Sequence, residues 1–288
     1  MYRDDPEDSI QDEFESLVFK GHPMGMNILG TEATVSVFTT KDFRSFVGEH
    51  IDTRKVVFGF VGNINEHEVA TLSKRFLEPI RSKRSTRRRK QFDSYKAKEP
   101  VLHRQVKQSR CVIGRDALPI RHQDRIPFYM LTNFLGGPGL NSRLNYLLRE
   151  KRGMVYSVDA QYVPFSDTGL FGIYFGTEPR QLTKCINIIE GELSRIADEG
   201  VGSRQLISLK EQIKGHMALS EESNLSLLLM MGRSLLDFGK VPALEEVYSR
   251  VEDTTSEKLQ RLARKYFRKG DLSYLIMEPG SNGHSTMN

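Results

Sequence analysis

Two stretches of this chain resemble each other, and a chain holding such a pair is confined to folds built from repeated units. TTKDFRSFVGEHIDTRKVVFGFVGNI fills residues 39–64 and TTSEKLQRLARKYFRKGDLSYLIMEP fills residues 254–279. With a one-residue gap, Phe43 falls with Leu259, Phe46 with Leu262, Ile51 with Phe267 and Phe58 with Tyr274. Each copy reads as an amphipathic helix, apolar every three to four residues, followed by a β-branched or aromatic run that reads as a strand. Thr40 and Thr255 stand where an N-cap is wanted. A further apolar helix precedes each copy, over residues 14–19 and 225–238.

The second copy closes a unit that begins near Val101, just past a basic stretch, so the matching start for the first copy would lie about 115 residues ahead of Met1. The expected organisation is therefore one and a half units. Residues 1–80 would be the end of a first unit, 81–100 a basic linker, 101–280 a complete second unit, and 281–288 a disordered tail. Along the second unit, 101–114 reads as a strand and 123–134 as a helix, followed by the loop GGPGLNSR at 136–143. Leu140, Leu144, Leu147 and Leu148 form a helical stripe that Asn141 or Ser142 could cap, and Gly153 ends it with the backbone freedom of a residue lacking Cβ. Tyr156, Val158, Ala160 and Tyr162 alternate onto one face of a strand, which the run from Leu170 can join as a hairpin. A helix over 181–197 buries Leu182, Cys185, Ile186, Ile189, Leu193 and Ile196, and two long helices lead on to the repeated end. Sheet plus packed helices gives an α+β class.

Composition narrows the function. The chain is 38% hydrophobic and 27% charged, as in soluble globular proteins, and no apolar run approaches the roughly 20 residues of a membrane span. MYRDDPEDSI has neither the basic start nor the apolar core of a signal peptide, and a cytoplasmic location is expected. Cys111 and Cys185 are too few for a disulfide scaffold and are not spaced as a metal or redox motif. The net charge of +5 is local: RSKRSTRRRK at 81–90 supplies it, and the remaining chain is slightly acidic. A like-charge run with serines and no aromatics reads as a solvated, mobile linker, so nucleic acid is not the expected partner. Gly136, Gly137 and Gly139 are not followed by the GK[ST] of a phosphate loop, and with Asn141 they read as a hinge-like loop at a substrate cleft. His22 beside Pro23 reads as a loop or core histidine, and Met230 and Met231 as core.

The stretch LNSRLNYLLREKRGMVYSVDAQY, behind a glycine-rich loop and ahead of an aromatic strand, resembles the second half of pitrilysin-type zinc metallopeptidases, the group that includes the mitochondrial processing peptidase. MYRDDPEDSIQDEFESLVFKGHPMGMNILGT resembles the later part of their first half. The resemblance implies two homologous α+β halves that close on a peptide or unfolded protein like a clamshell. It implies zinc held in the first half by an inverted HxxEH motif and a distant glutamate. This chain departs from that pattern. His67 with Glu68 lacks a second histidine, and the glutamate ligand would fall before Met1, so Glu7, Glu13 and Glu15 are not assigned to it. Zinc is expected in the full-length protein and not on this chain.

The resemblance further implies that Arg149 and Tyr156 are lent to the active site, contacting the substrate backbone and the developing oxyanion. On the residues alone, Arg149 is a surface residue beside Glu150 and Tyr156 a core aromatic. The expected function is thus the C-terminal portion of a zinc metalloendopeptidase, inactive alone. The alternative is a non-catalytic peptide-binding or assembly subunit of the same family, and a homodimer or a family-member partner fits either.

Overall fold

A computed structural model describes residues 6–86, 89–104, 106, 108–139 and 141–279; the expected tail at 281–288 lies outside them. Two compact units result: among the described residues, one comprises those of 6–27, 91–211 and 249–279, the other those of 28–90 and 212–248. This partition follows the contacts within the chain and not the repeat-based division. Helix α1 (Pro6–Val18), within the 1–80 stretch expected to form the end of a first unit, is part of the larger one.

The larger unit is built on a five-stranded mixed sheet in the order β1-β5-β2-β4-β3. The expected single strand at 101–114 is two strands, β1 (Val101–Arg104) and β2 (Ser109–Ala117). They lie on opposite sides of β5 (Ser273–Pro279), which β1 joins in parallel and β2 antiparallel. The hairpin of β3 (Val155–Pro164) and β4 (Gly169–Thr177) forms as expected and adds to β2 through β4. Strand β4, GLFGIYFGT, lies between two neighbours and is covered on both faces, which suits its nearly unbroken apolar run.

On one face of the sheet lie α5 (Arg125–Gly136), α6 (Leu182–Glu199) and α10 (Ser256–Tyr266). Phe128 sits at the centre of this core, edge-on to Tyr162 and Phe171 and tilted against Tyr266. On the other face Ile10, Phe14 and Val18 of α1, with Phe19 just past its end, are buried against Val112, Leu170, Leu275 and Met277. Residues 91–100 are held to this unit and are not a free linker. Lys98 donates its Nζ to the Leu17 carbonyl at 3.0 Å and its backbone N–H to Ser273 Oγ at 3.1 Å, and Phe92 packs edge-on to Phe19.

Helices α7 (Ser203–Glu221), α8 (Asn224–Phe238) and α9 (Leu244–Glu252) precede α10, one more than expected. The boundary between the units falls within α7. The smaller unit contains α2 (Glu32–Val35), α3 (Thr40–His50), α4 (Glu66–Phe76) and α8. The N-cap of α3 is Thr39 rather than Thr40: the Thr39 Oγ1 accepts from Asp42 N, and the Asp42 carboxylate accepts from Thr39 N at 2.8 Å. The repeat predicts a strand after α3, yet residues 56–61 form none. A strand exists only by pairing, and no described strand lies beside this one. Phe43, Phe46, Phe58 and Phe60 are accordingly exposed, as are Met230 and Met231 of α8, which periodicity alone places in a core. The basic run is tied down at residues 83–85: Lys83 N donates to Thr53 Oγ1 at 2.7 Å and Ser85 Oγ to the Glu49 carbonyl at 2.8 Å.

Candidate functional site

The helical stripe after the glycine loop is short and underwound in one place. Residues Asn145–Glu150 form a π turn, in which Lys151 N donates to the Tyr146 carbonyl, five residues back, at 2.9 Å. Such turns carry one residue more than an α turn, and they occur often at functional sites. Arg149 lies in the last turn. Behind it the chain reverses at Gly153, whose φ of +57° is a conformation that a side chain would strain. Gly153 N then bonds the Arg149 carbonyl at 2.8 Å and Met154 N the Leu148 carbonyl at 2.9 Å. Arg152 satisfies another carbonyl at this helix end, donating to Leu147 at 2.7 Å. The Met154 carbonyl accepts from Thr177 Oγ1 at 2.7 Å, which pins the start of β3 to β4.

Strand β3 then breaks its register. Val155 pairs with Thr177 and Val158 with Phe175, so three steps on β3 face two on β4. This bulge overturns the expected alternation. Val155 and Val158 both turn into the core, while Tyr156 is 86% exposed. Its ring faces the guanidinium of Arg149, 6.0 Å from Cζ to ring centroid. Arg149 also lies 3.7 Å from the Glu150 carboxylate through Nε, and its side chain is about as exposed as that of Glu150. Tyr156 is thus not a core aromatic. The turn and the bulge together bring an arginine and a tyrosine, seven positions apart in sequence, to one exposed place.

The loop residues sit differently. Gly136 is buried at the end of α5, and a Cβ there would lie 2.7 Å from Ala160 Cβ on β3, so close helix-to-strand packing accounts for this glycine. Gly137 caps α5, donating to the Asn133 carbonyl at 2.9 Å. The Gly139 carbonyl accepts from Ser142 N at 3.0 Å, and Asn141 is exposed in the turn between them. Leu140 lies outside the described residues.

Two residues that sequence reasoning passed over hold the turn in place. Asn145, buried between the turn and β3, donates Nδ2 to the Val158 carbonyl at 3.2 Å and to Ser142 Oγ at 2.9 Å. Glu192 of α6, also buried, accepts from Arg143 Nε at 2.7 Å and from Arg195 Nη2 at 2.7 Å. Its signal was present: an acid on the helix face that Ile189, Leu193 and Ile196 make apolar. Asn145 gave none, because a polar residue next to Leu144 in a helical stripe reads as solvent-facing.

For metal, the fit is poor. Among the described residues no group of three or more His, Cys, Asp and Glu side chains could hold an ion. Glu68 is engaged in capping α4 with Asn65. His22 caps a short turn, its Nδ1 accepting from Met24 N at 3.3 Å.

Comparison with known proteins agrees with this architecture. Residues 38–213 match the family model described as Peptidase M16 inactive domain. The chain is 29% identical over 296 residues to the uncharacterized zinc protease YmxG of Bacillus subtilis, covering 98% of this chain and 68% of that protein. It is 28% identical over 271 residues to an uncharacterized zinc protease of Streptomyces coelicolor, covering 92% of this chain and 59% of that protein. The crystal structure of a peptidase M16 inactive domain from Pseudomonas fluorescens superposes with a TM-score of 0.86 at 18% identity, over 96% of this chain and 67% of that one. A chain of complex III2 from Candida albicans does so with a TM-score of 0.82 at 15% identity, over 96% and 67%. The chain belongs to the pitrilysin-type M16 family of zinc metallopeptidases, in the region of its inactive, C-terminal domain. It spans 59% to 68% of the length of the two bacterial relatives.

Proposed function

We propose that this chain is the peptide-gripping portion of a zinc metalloendopeptidase, with Arg149 and Tyr156 as the groups that touch substrate. The observation that carries the reading is the exposure of Tyr156, an aromatic in a strand whose neighbours Val155 and Val158 are buried, with a guanidinium 6.0 Å from its ring. A guanidinium presents a planar fork of donors, which suits a peptide carbonyl, and a phenol can donate one O–H to an oxygen gaining negative charge. Gly153 and the Thr177 bond to Met154 restrict the backbone between the two, which lowers the cost of ordering it when a peptide arrives. Zinc, which the names of the relatives carry, would be held by sequence outside these 288 residues. Gly136, Gly137, Gly139 and Asn141 would border the peptide. A peptide or an unfolded protein would be the substrate, and a second family member or a second copy a possible partner.

The test is kinetic, in the protein that also carries the zinc-binding sequence. Tyr156→Phe keeps the ring and removes one donor, so kcat and kcat/KM fall together, on the order of 10²-fold. Arg149→Lys keeps the charge and loses the fork, which lowers turnover with little change in melting temperature. Full specific activity in both variants would remove the assignment. Peptide binding without any hydrolysis in the unaltered protein would favour the assembly-subunit reading instead.

A further inference from the structure

We infer that Asn145 is the positioning residue for this pair: its buried carboxamide ties the π turn that carries Arg149 to the bulged strand that carries Tyr156. The inference rests on the reading of Arg149 and Tyr156 given above. Three observations support it. The acceptor on β3 is the carbonyl of Val158, two residues past Tyr156 and the first residue back in register after the bulge. A carbonyl can only accept, so the amide must present its NH2 to β3. The second contact, to Ser142 Oγ at 2.9 Å, fixes the same NH2 group to the start of the turn, and Arg143, the next residue, is held to the buried carboxylate of Glu192 on α6.

The need for such a tie follows from the backbone. A π turn and a β-bulge each insert one residue, and each leaves the local ladder weaker than the regular structure it interrupts. Strand β3 is also the last strand of the sheet, so no described strand supports its outer side. Without a cross-link, the turn and the bulge can shift against one another. Displacements of about 1 Å in a pair that must address one peptide group are costly for function. The Asn145 amide spans that joint from within, and no other hydrogen bond between the side chains of residues 145–150 and β3 is described. It would therefore act on Arg149 and Tyr156 without touching the substrate.

The experiment uses the 288-residue chain with tyrosine rings labelled for NMR. The Tyr156 signal is assigned by its loss in Tyr156→Phe, and Arg149→Ala shows how far that signal moves when the guanidinium leaves. Asn145→Asp, which removes the NH2 group, and Asn145→Leu, which matches its shape without polarity, are then compared. Positioning by Asn145 means that both variants move or broaden the Tyr156 signal as Arg149→Ala does. An unchanged Tyr156 signal in a folded Asn145 variant overturns the inference, whatever the melting temperature. A labelled unfolded peptide supplies the second arm. Asn145→Leu should weaken its binding on the order of tenfold, as loss of a well-placed charged donor does, and Arg149→Ala added to it should cost little more. If Arg149→Ala alone leaves peptide affinity unchanged, the functional reading of the pair fails while the NMR arm still judges the tie. If Arg149→Ala weakens affinity and Asn145→Leu does not, the tie alone is rejected.

Discussion

At the scale of single residues, two carboxylates, buried Glu192 and half-buried Glu15, pull stability in opposite directions with pH. Burial pushes the Glu192 carboxyl up, but hydrogen bonds and charge from Arg195 and Arg143 outweigh it and hold the group below the ordinary carboxylate range. A native pKa lower than the unfolded one adds stability that is present above the unfolded value and is lost as pH falls through the native value. Glu192→Gln should therefore lower stability at neutral pH by about 1 to 3 kcal/mol, the partly exposed arginines limiting the loss. In urea titrations the gap from the unaltered chain should close in acid; a gap independent of pH would mean that packing, not charge, is what Glu192 supplies. Glu15 on α1 shows the reverse. Half-burial raises its carboxyl and the neighbouring charge of Asp12 raises it further, so its ionised form opposes folding. That cost is absent below the unfolded pKa and grows as pH rises through the native one. Glu15→Gln should raise the melting temperature at neutral pH and leave it unchanged in acid.

At the scale of elements, much was legible, and the failures have two causes. The spacing of Leu182, Cys185, Ile189, Leu193 and Ile196 marks α6, Thr255 caps α10 through Lys258 N at 3.3 Å, and the β3–β4 hairpin falls where alternation places it. These are regular elements, whose period is written into the sequence. The π turn at Asn145–Glu150 and the bulge between Val155 and Val158 each add one residue, and periodicity has no way to announce an insertion. Alternation therefore puts Tyr156 on the same face as Val158, while the structure turns it outward. Arg149 and Tyr156 are indicated as a pair by family resemblance alone, since pattern does not mark them. Residues 56–61 failed for another reason: a strand depends on partners, and local sequence does not supply them. Gly136 separates packing from substrate contact at this scale. Because Ala160 leaves no room for a Cβ, Gly136→Ala should destabilise by about 1 to 3 kcal/mol through overpacking at the α5–β3 contact. Normal stability together with lost peptide affinity would instead make Gly136 a substrate contact.

At the scale of the whole molecule, burial is unevenly shared between the two units. The larger one covers its sheet on both faces with side chains such as Phe14, Phe128, Phe171 and Ile113. In the smaller one Ile213 is the buried apolar side chain among the described residues, while Phe43, Phe46, Phe58, Phe60, Leu225 and Leu229 are exposed. Apolar burial is the main favourable contribution to folding, about 25 cal/mol for each Å² removed from water, and the units must differ accordingly in resistance to opening. Hydrogen exchange on the isolated 288-residue chain should find the slowest amides in β2, β4 and β5. Those of α3 and α4 should exchange far sooner, even though both helices carry complete N-terminal capping boxes. Caps contribute about 1 kcal/mol each, too little to hold an 11-residue helix that buries no face. The same exposed phenylalanines should bind an apolar dye under native conditions, and Phe58→Ser with Phe60→Ser should reduce that signal without changing protection in β4. Uniform protection across α3, α4 and the sheet would show that the small unit gains its stability from self-association, and dilution would then release the helices first.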